Sequence, residues 1–241
     1  MQSPDDFDQI ASLSTPLTLE AIEDGTITFR NNAANPVTYQ INGGAEQAIP
    51  YVGKNSGGTE IIVSAGDVVT FKANNTTYRG LYSSNITCSA DCYIYGNVMS
   101  LIDAENFPTL KEFDTTNGTR TFRSLFEGNT HIKNDAKNAL FLPATTLAEA
   151  CYSYMFQDCT CLTAAPILPA TTLAQYCYQV MFSGCTKLAS VSCSATDITA
   201  SNCTTNWLQD VAATGTFTTP STTAWETGAN GIPEGWTRVD K

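Results

Sequence analysis

The stretch Leu142–Leu162 reads LPATTLAEACYSYMFQDCTCL, and 26 residues later Leu168–Leu188 reads LPATTLAQYCYQVMFSGCTKL, identical at 14 of 21 positions. No other feature constrains the fold as much. A repeat of this period buries its apolar side only against the units before and after it, so the units must stack. Fainter copies flank the clear pair. Ser124-Leu125-Phe126-Glu127-Gly128-Asn129-Thr130-His131-Ile132 matches the end of the unit as a degenerate first copy. Cys203 lies 26 residues after Cys177, with Trp207-Leu208 in the place of Met181-Phe182, as an altered fourth copy.

Within one unit, Leu147, Cys151 and Met155 fall at i, i+4 and i+8, and Tyr152, Phe156 and Cys159 add an adjoining stripe. This spacing predicts about two turns of amphipathic helix. Leu162-x-x-Ala165-x-Ile167 and Leu188-x-x-Val191-x-Cys193 read as a short strand with these residues inward and Thr163, Ala164, Pro166, Ala189, Ser190 and Ser192 outward. The Leu168-Pro169 pair ends the strand, because proline cannot continue a ladder. One unit is therefore expected to be a strand, a turn and a short helix. Trp207, Trp225 and Trp236 all lie in the last 35 residues, where bulky aromatics either seal the final unit or form a sugar-stacking platform.

The pattern before the repeats is different. Leu17, Leu19 and Ala21, then Ile27 and Phe29, then Val37, Tyr39 and Ile41, and later Val69 and Phe71 alternate as in strands. Asp24-Gly25, Asn42-Gly43-Gly44 and Ala65-Gly66-Asp67 supply the tight turns between them. The expected class is α+β: a flexible acidic tail over 1–15, an antiparallel β-sandwich over 16–98, a short leucine-rich-repeat solenoid over 99–204 and a C-terminal cap over 205–241. The glycine-rich loop Pro50–Gly58 carries Tyr51 and Lys54, and is either a contact loop or a plain connection.

Composition narrows the function classes. Twenty-three acidic residues against 12 basic ones give a net charge of -11, which opposes phosphate backbones, so nucleic acid is not an expected partner. No run approaches a membrane span, and the first residues show no secretory leader. Nine cysteines invite a metal or disulfide reading. However, Cys151, Cys177 and Cys203, like Cys159 and Cys185, recur at the repeat period and read as buried thiols stacked about 5 Å apart. Cys159-x-Cys161 and Cys88-x-x-x-Cys92 lack a second pair or histidines at zinc spacing, and a Cys88–Cys92 disulfide stays open. The single histidine, His131, falls in a turn of the degenerate unit, and carboxylate pairs such as Glu112/Asp114 and Glu23/Asp24 read as surface residues. No catalytic residue, cofactor or metal is expected.

The repeat pattern C-x-x-L-x-x-x-x-x-LP-x-x-x-L-x-x-x-CY-x-x-MF-x-x-C resembles the BspA-like leucine-rich repeats. The order AIEDGTITF, SAGDVVTF, GNVMSLI, LPATTL, ATDITASNCTTNW and GIPEGWT is similar to a module of gut Bacteroidetes surface proteins and their phages. The resemblance implies a non-catalytic recognition or adhesion protein, extracellular or at the cell surface, that binds a protein or surface glycan. The runner-up is a phage virion component, a fibre or decoration protein with a host-attachment role, the case in which a homo-oligomer is expected. A thiol-dependent enzyme is the third class. Positions that differ between the two clear units are the candidate contacts: Glu149, Ser153, Gln157, Asp158, Tyr176, Gln179 and Lys187, together with Tyr51 and Lys54.

Overall fold

The computed structural model describes residues 13–33, 35–52, 57–75 and 85–241. Lys54 and the acidic tail residues Asp5, Asp6 and Asp8 lie outside the described residues. The alternating stretches form strands β1 (Leu17–Ala21), β2 (Gly25–Arg30), β3 (Val37–Ile41), β4 (Gln47–Ile49), β5 (Thr59–Val63), β6 (Val68–Ala73), β7 (Asn85–Cys88) and β8 (Cys92–Asn97). Two short parallel strands, β9 (Ile132–Asn134) and β10 (Leu140–Phe141), both pair with β8. One sheet runs in the order β10-β8-β1-β6-β3-β4, with β9 alongside β8, and a three-stranded sheet runs β5-β2-β7. The sheets meet through their apolar faces. Phe29 of β2 packs edge-on against Phe71 of β6 with centroids 5.4 Å apart, and both are fully buried.

One glycine in this region is dictated by a close approach. Gly96 has φ +82, and a Cβ there would run into the Pro16 carbonyl oxygen. The backbone of the chain entering β1 crosses β8 directly at this point, and the Asn97 N–H donates to the Thr15 carbonyl at 2.9 Å.

The repeats overturn the α+β expectation. Among the described residues the chain is nearly all β, and its one helical element is the four-residue 3-10 turn Val98–Leu101. The predicted amphipathic helices are ladders of consecutive four-residue turns. Every fourth residue is left-handed: Ala150, Tyr154 and Asp158 have φ of 53, 60 and 59, and Tyr176, Val180 and Gly184 of 57, 55 and 76. Arg120, Ser124 and Gly128 begin the series, and Asn202, Asn206 and Asp210 end it. An α-helix advances its apolar stripe by roughly 40° every four residues. The turn ladder instead returns Cys151/Tyr152, Met155/Phe156 and Cys159 to one face, and all five are buried.

The backbone hydrogen bonds show why this conformation holds. Alternate N–H groups donate within the unit, as Cys151 to Ala148 and Met155 to Tyr152. Those between them donate to the next unit, as Ala150 to Gln175 at 2.9 Å, Tyr152 to Cys177 at 3.1 Å, Tyr154 to Gln179 at 2.9 Å and Phe156 to Met181 at 2.9 Å. Leaving such groups unpaired in the interior costs free energy, so stacking holds the left-handed residues in place. Four layers are joined in this way, from Arg120–Gly128 through to Asn202–Asp210.

The expected strand of each unit is also reduced. Only Ser190–Ser192 forms a strand, β11, while Ala164↔Ser190, Leu168↔Cys193 and Thr172↔Asp197 are single parallel bridges. No strand–turn–helix solenoid closes. The offset between bridged residues falls from 26 at Ala164 to 25 at Leu168, so one extra residue is accommodated between them. Ile167, expected to face inward, is 52% exposed, whereas Pro166, expected to face outward, is buried.

Strands β12 (Gly215–Thr219) and β13 (Trp236–Asp240) extend β11 as a parallel sheet. The Trp207 ring stacks on Tyr178 at 6.0 Å and on Trp225 at 5.3 Å, and its Nε1 donates to the Gly231 carbonyl. Trp225 and Trp236 donate to Thr219 and Ala212. Since Trp207 and Trp236 are buried, the three tryptophans form no open sugar-stacking platform.

Candidate recognition surfaces

A cleft of about 400 Å³ opens where the chain after β9 faces the second unit. Phe141, Leu142 and Pro143 line one side, and Ala164–Ile167 with Pro169 line the other. Leu13 and Ile94 complete the apolar lining, and Lys111, Asn134, Asp135 and Asn138 supply polar groups. Pro143, Pro166 and Pro169 have no N–H, so this segment is poorly suited to continuing a parallel ladder across the gap. Asn134, at the end of β9, holds the Thr163–Ala164 side in place. Its Oδ1 accepts from the Thr163 and Ala164 N–H groups at 2.9 and 3.1 Å, and its Nδ2 donates to the Ala164 carbonyl at 3.0 Å.

The candidate contacts from the sequence lie elsewhere. Tyr51 is 61% exposed beside the glycine-rich loop. Seven residues belong to the repeats, and none of them lines the cleft. Glu149, Asp158 and Lys187 are exposed, and Gln157, Tyr176 and Gln179 are half-buried. Ser153 is corrected: it is buried, because its Oγ folds back to donate to the Ala150 carbonyl of its own turn at 3.1 Å while its carbonyl accepts from the Ser124 N–H of the preceding layer. Asp158 lies over Gly184, where a Cβ would collide with its carboxylate.

Titratable side chains gather at one other place, the turn between β7 and β8. Asp91 pairs with Lys133, and its Oδ1 lies 3.1 Å from His131 Nδ1. The Lys133 ammonium, followed by His131, holds the Asp91 carboxyl below its ordinary value. Cys88 and Cys92 flank the same turn, and Asn129 Nδ2 donates to Cys88 Sγ at 3.4 Å. In the repeats, burial pushes the thiols of Cys151, Cys185 and Cys193 up to about 12, and those of Cys159 and Cys177 well upward. These five are packing groups without nucleophilic character. Among the described residues no three His, Cys, Asp or Glu side chains are placed to hold a metal ion. Nor is any helix there long and apolar enough to cross a membrane.

The cleft was not anticipated from the sequence. The signal that could have pointed to it is the spacing of Leu-Pro and proline residues at 142–143, 166 and 168–169, combined with the shortening of the repeat after Leu168. No family model, no curated protein and no solved structure matches the chain.

Proposed function

We propose that this protein is a non-catalytic recognition or adhesion protein of the extracellular or cell-surface environment, which binds a protein or surface glycan. The observation that carries the reading is the division of labour within the turn ladder. Interior residues are repeated, as in Cys151/Cys177, Tyr152/Tyr178, Met155/Met181 and Phe156/Phe182, while solvent-facing residues change, as in Glu149/Gln175, Gln157/Ser183 and Cys161/Lys187. A backbone held by bonds between layers thereby presents a varied set of side chains in fixed positions, and a preorganised surface loses little entropy on binding. The resemblance of the LPATTL unit to BspA-like repeats supports the same role. The cleft beside Ile167 adds a second contact surface, concave and apolar with a few polar groups.

The two surfaces are separable by mutation. Tyr176, Gln179 and Lys187 changed together to alanine test the ladder, Ile167→Asp tests the cleft, and Tyr51→Ala tests the sandwich loop. Binding to host cells and to arrayed surface glycans is the readout, with unfolding midpoints as the control for stability. Loss of one anchor costs about 2 kcal/mol, roughly thirtyfold in affinity, while exposed substitutions move stability by only about ±0.5 kcal/mol. If all three variants bind like the parent, the proposal fails.

A further inference from the structure

We propose that Cys88 and Cys92 are a thiol pair that closes to a disulfide by exchange with small-molecule disulfides, with Cys88 as the attacking sulfur and Cys92 as the resolving one. The other cysteines are set differently. Cys151, Cys159, Cys177, Cys185 and Cys193 are fully buried in the repeat core, Cys203 is buried at the last layer, and Cys161 is half-buried beside Lys187 Nζ at 3.8 Å, where the cysteine nearest in sequence, Cys159, is fully buried. Cys88 and Cys92 instead flank a three-residue turn whose Ser89 is exposed and whose Ala90 and Asp91 are half-exposed.

The roles follow from the contacts. Cys88 is at the edge of the buried class, at 9% exposure, against 2% for Cys92. Its sulfur receives the Asn129 Nδ2–H at 3.4 Å. That donor, together with the neighbouring Cys92, favours the ionised form of Cys88, Cys92 the more strongly. Cys92 is the more deeply buried of the two and its Sγ–H donates to the Ala90 carbonyl at 3.5 Å, a bond that favours the protonated thiol. The attacking species is the thiolate, which places the nucleophile at Cys88.

The exchange balances in two steps. The Cys88 thiolate attacks one sulfur of oxidised glutathione, the sulfur–sulfur bond breaks, and one glutathione leaves as thiolate and takes a proton from solvent. With Cys88 now in a neutral mixed disulfide, Cys92 no longer faces a second ionisable thiol. Cys92 gives up its proton and attacks Cys88 Sγ, and the second glutathione leaves. One small disulfide is reduced to two thiols, and the protein loses two hydrogens. Cys88 ends a strand of the three-stranded sheet and Cys92 begins a strand of the larger sheet, so the bond joins the two sheets across a three-residue connection.

The intact protein is equilibrated with oxidised and reduced glutathione, alkylated without unfolding, then unfolded and alkylated with a second reagent. Tryptic cleavage after Arg79 and Lys111 leaves both cysteines on one peptide. The expected result is loss of two hydrogens on that peptide, with Cys151, Cys159, Cys177, Cys185 and Cys193 labelled only after unfolding. In Cys92→Ser the glutathione adduct should be trapped on Cys88, and in Cys88→Ser no adduct should form at Cys92. Circular dichroism confirms that each variant is folded. A pair that stays reduced in excess oxidised glutathione overturns the proposal, and an adduct on Cys92 in Cys88→Ser overturns the assignment of roles.

Discussion

The hydroxyls of Tyr152 and Tyr178 offer the most direct test of how the repeat core is built. Their rings belong to one continuous stack: Phe122 on Tyr152 at 6.0 Å, Tyr152 on Tyr178 at 6.1 Å, and Tyr178 on Trp207 at 6.0 Å. Both rings are fully buried, and neither hydroxyl has a hydrogen-bond partner in the protein. Burial accordingly pushes both phenols well above their ordinary value. A buried unpaired hydroxyl costs about 1–3 kcal/mol. Its removal leaves a void near the size of a methyl group, which costs about 1 kcal/mol. Tyr152→Phe and Tyr178→Phe should therefore each stabilise the fold by about 1 kcal/mol, and the presence of Phe122 in the first layer shows that the stack accepts the smaller ring. Because the two rings touch, the double variant need not equal the sum.

Equilibrium unfolding in urea measures the effect. With a slope of about 2 kcal/mol/M, each substitution should raise the midpoint by about 0.5 M at unchanged slope. Tyr39→Phe is the control, since the Tyr39 hydroxyl donates to Gln47 Oε1 at 2.8 Å. That variant should lose about 0.5–1.5 kcal/mol. If Tyr152→Phe and Tyr178→Phe lose stability as Tyr39→Phe does, the hydroxyls are satisfied by buried water and the reasoning is refuted.

Two further outcomes follow from the same geometry. Val180 is β-branched at φ 55, in the layer position taken by Asn206 at φ 53, so Val180→Asn should stabilise the protein by about 1 kcal/mol, read as a rise in thermal midpoint; a fall would mean that Val180 packing outweighs its backbone strain. Asp67, Asp91, Asp103, Asp114 and Asp197 are all held below the ordinary carboxylate value, Asp91 chiefly by Lys133, Asp67 by the Ser64 N–H and then the Asn42 amide, and the others by hydrogen bonds within their turns. Their contribution is complete above about pH 4 and is lost as pH falls through the lowered folded values, so the urea midpoint should be level from pH 7 to 5 and drop below about 4, and a midpoint that rises on acidification would contradict this.

Strands were legible wherever local alternation carried the information. Leu17, Leu19, Ala21, Ile27, Phe29, Val37, Tyr39, Val69 and Phe71 alternate in sequence and are buried on their strands. The repeat period was equally plain, but the conformation inside a unit was not. Pairs of apolar residues every four positions satisfy an i, i+4 reading, and that reading led to helices. The discriminating residues were those between the pairs. Asn202, Asn206 and Asp210 stand four apart, as do Asp158 and Gly184 with their own turns, and asparagine, aspartate and glycine are the residues that tolerate left-handed backbone. The same oversight hid the three D-x-x-N turns at Asp103, Asp114 and Asp135, whose carboxylates accept from the Asn106, Asn117 and Asn138 N–H groups.

The cleft was harder to see because it depends on register between segments distant in sequence. Period-two reasoning placed Ile167 inward, and within a strand of constant offset it would be. A slip of one residue sends a side chain to the opposite face. Here the offset changes from 26 to 25 between Ala164 and Leu168, so Leu168 takes the place that bridges Cys193 and Ile167 is turned out against the cleft. Two identical LPATTL hexapeptides thus acquire different surroundings: Pro143 borders the gap after β10, while Leu168 closes onto the third unit through bonds of 3.0 Å to Ser192 and 2.9 Å from Ser194. The exposed isoleucine contributes little to the core it left, so Ile167→Asp should leave the urea midpoint nearly unchanged, within about ±0.5 kcal/mol, and a large fall would mean that Ile167 still packs as a core residue.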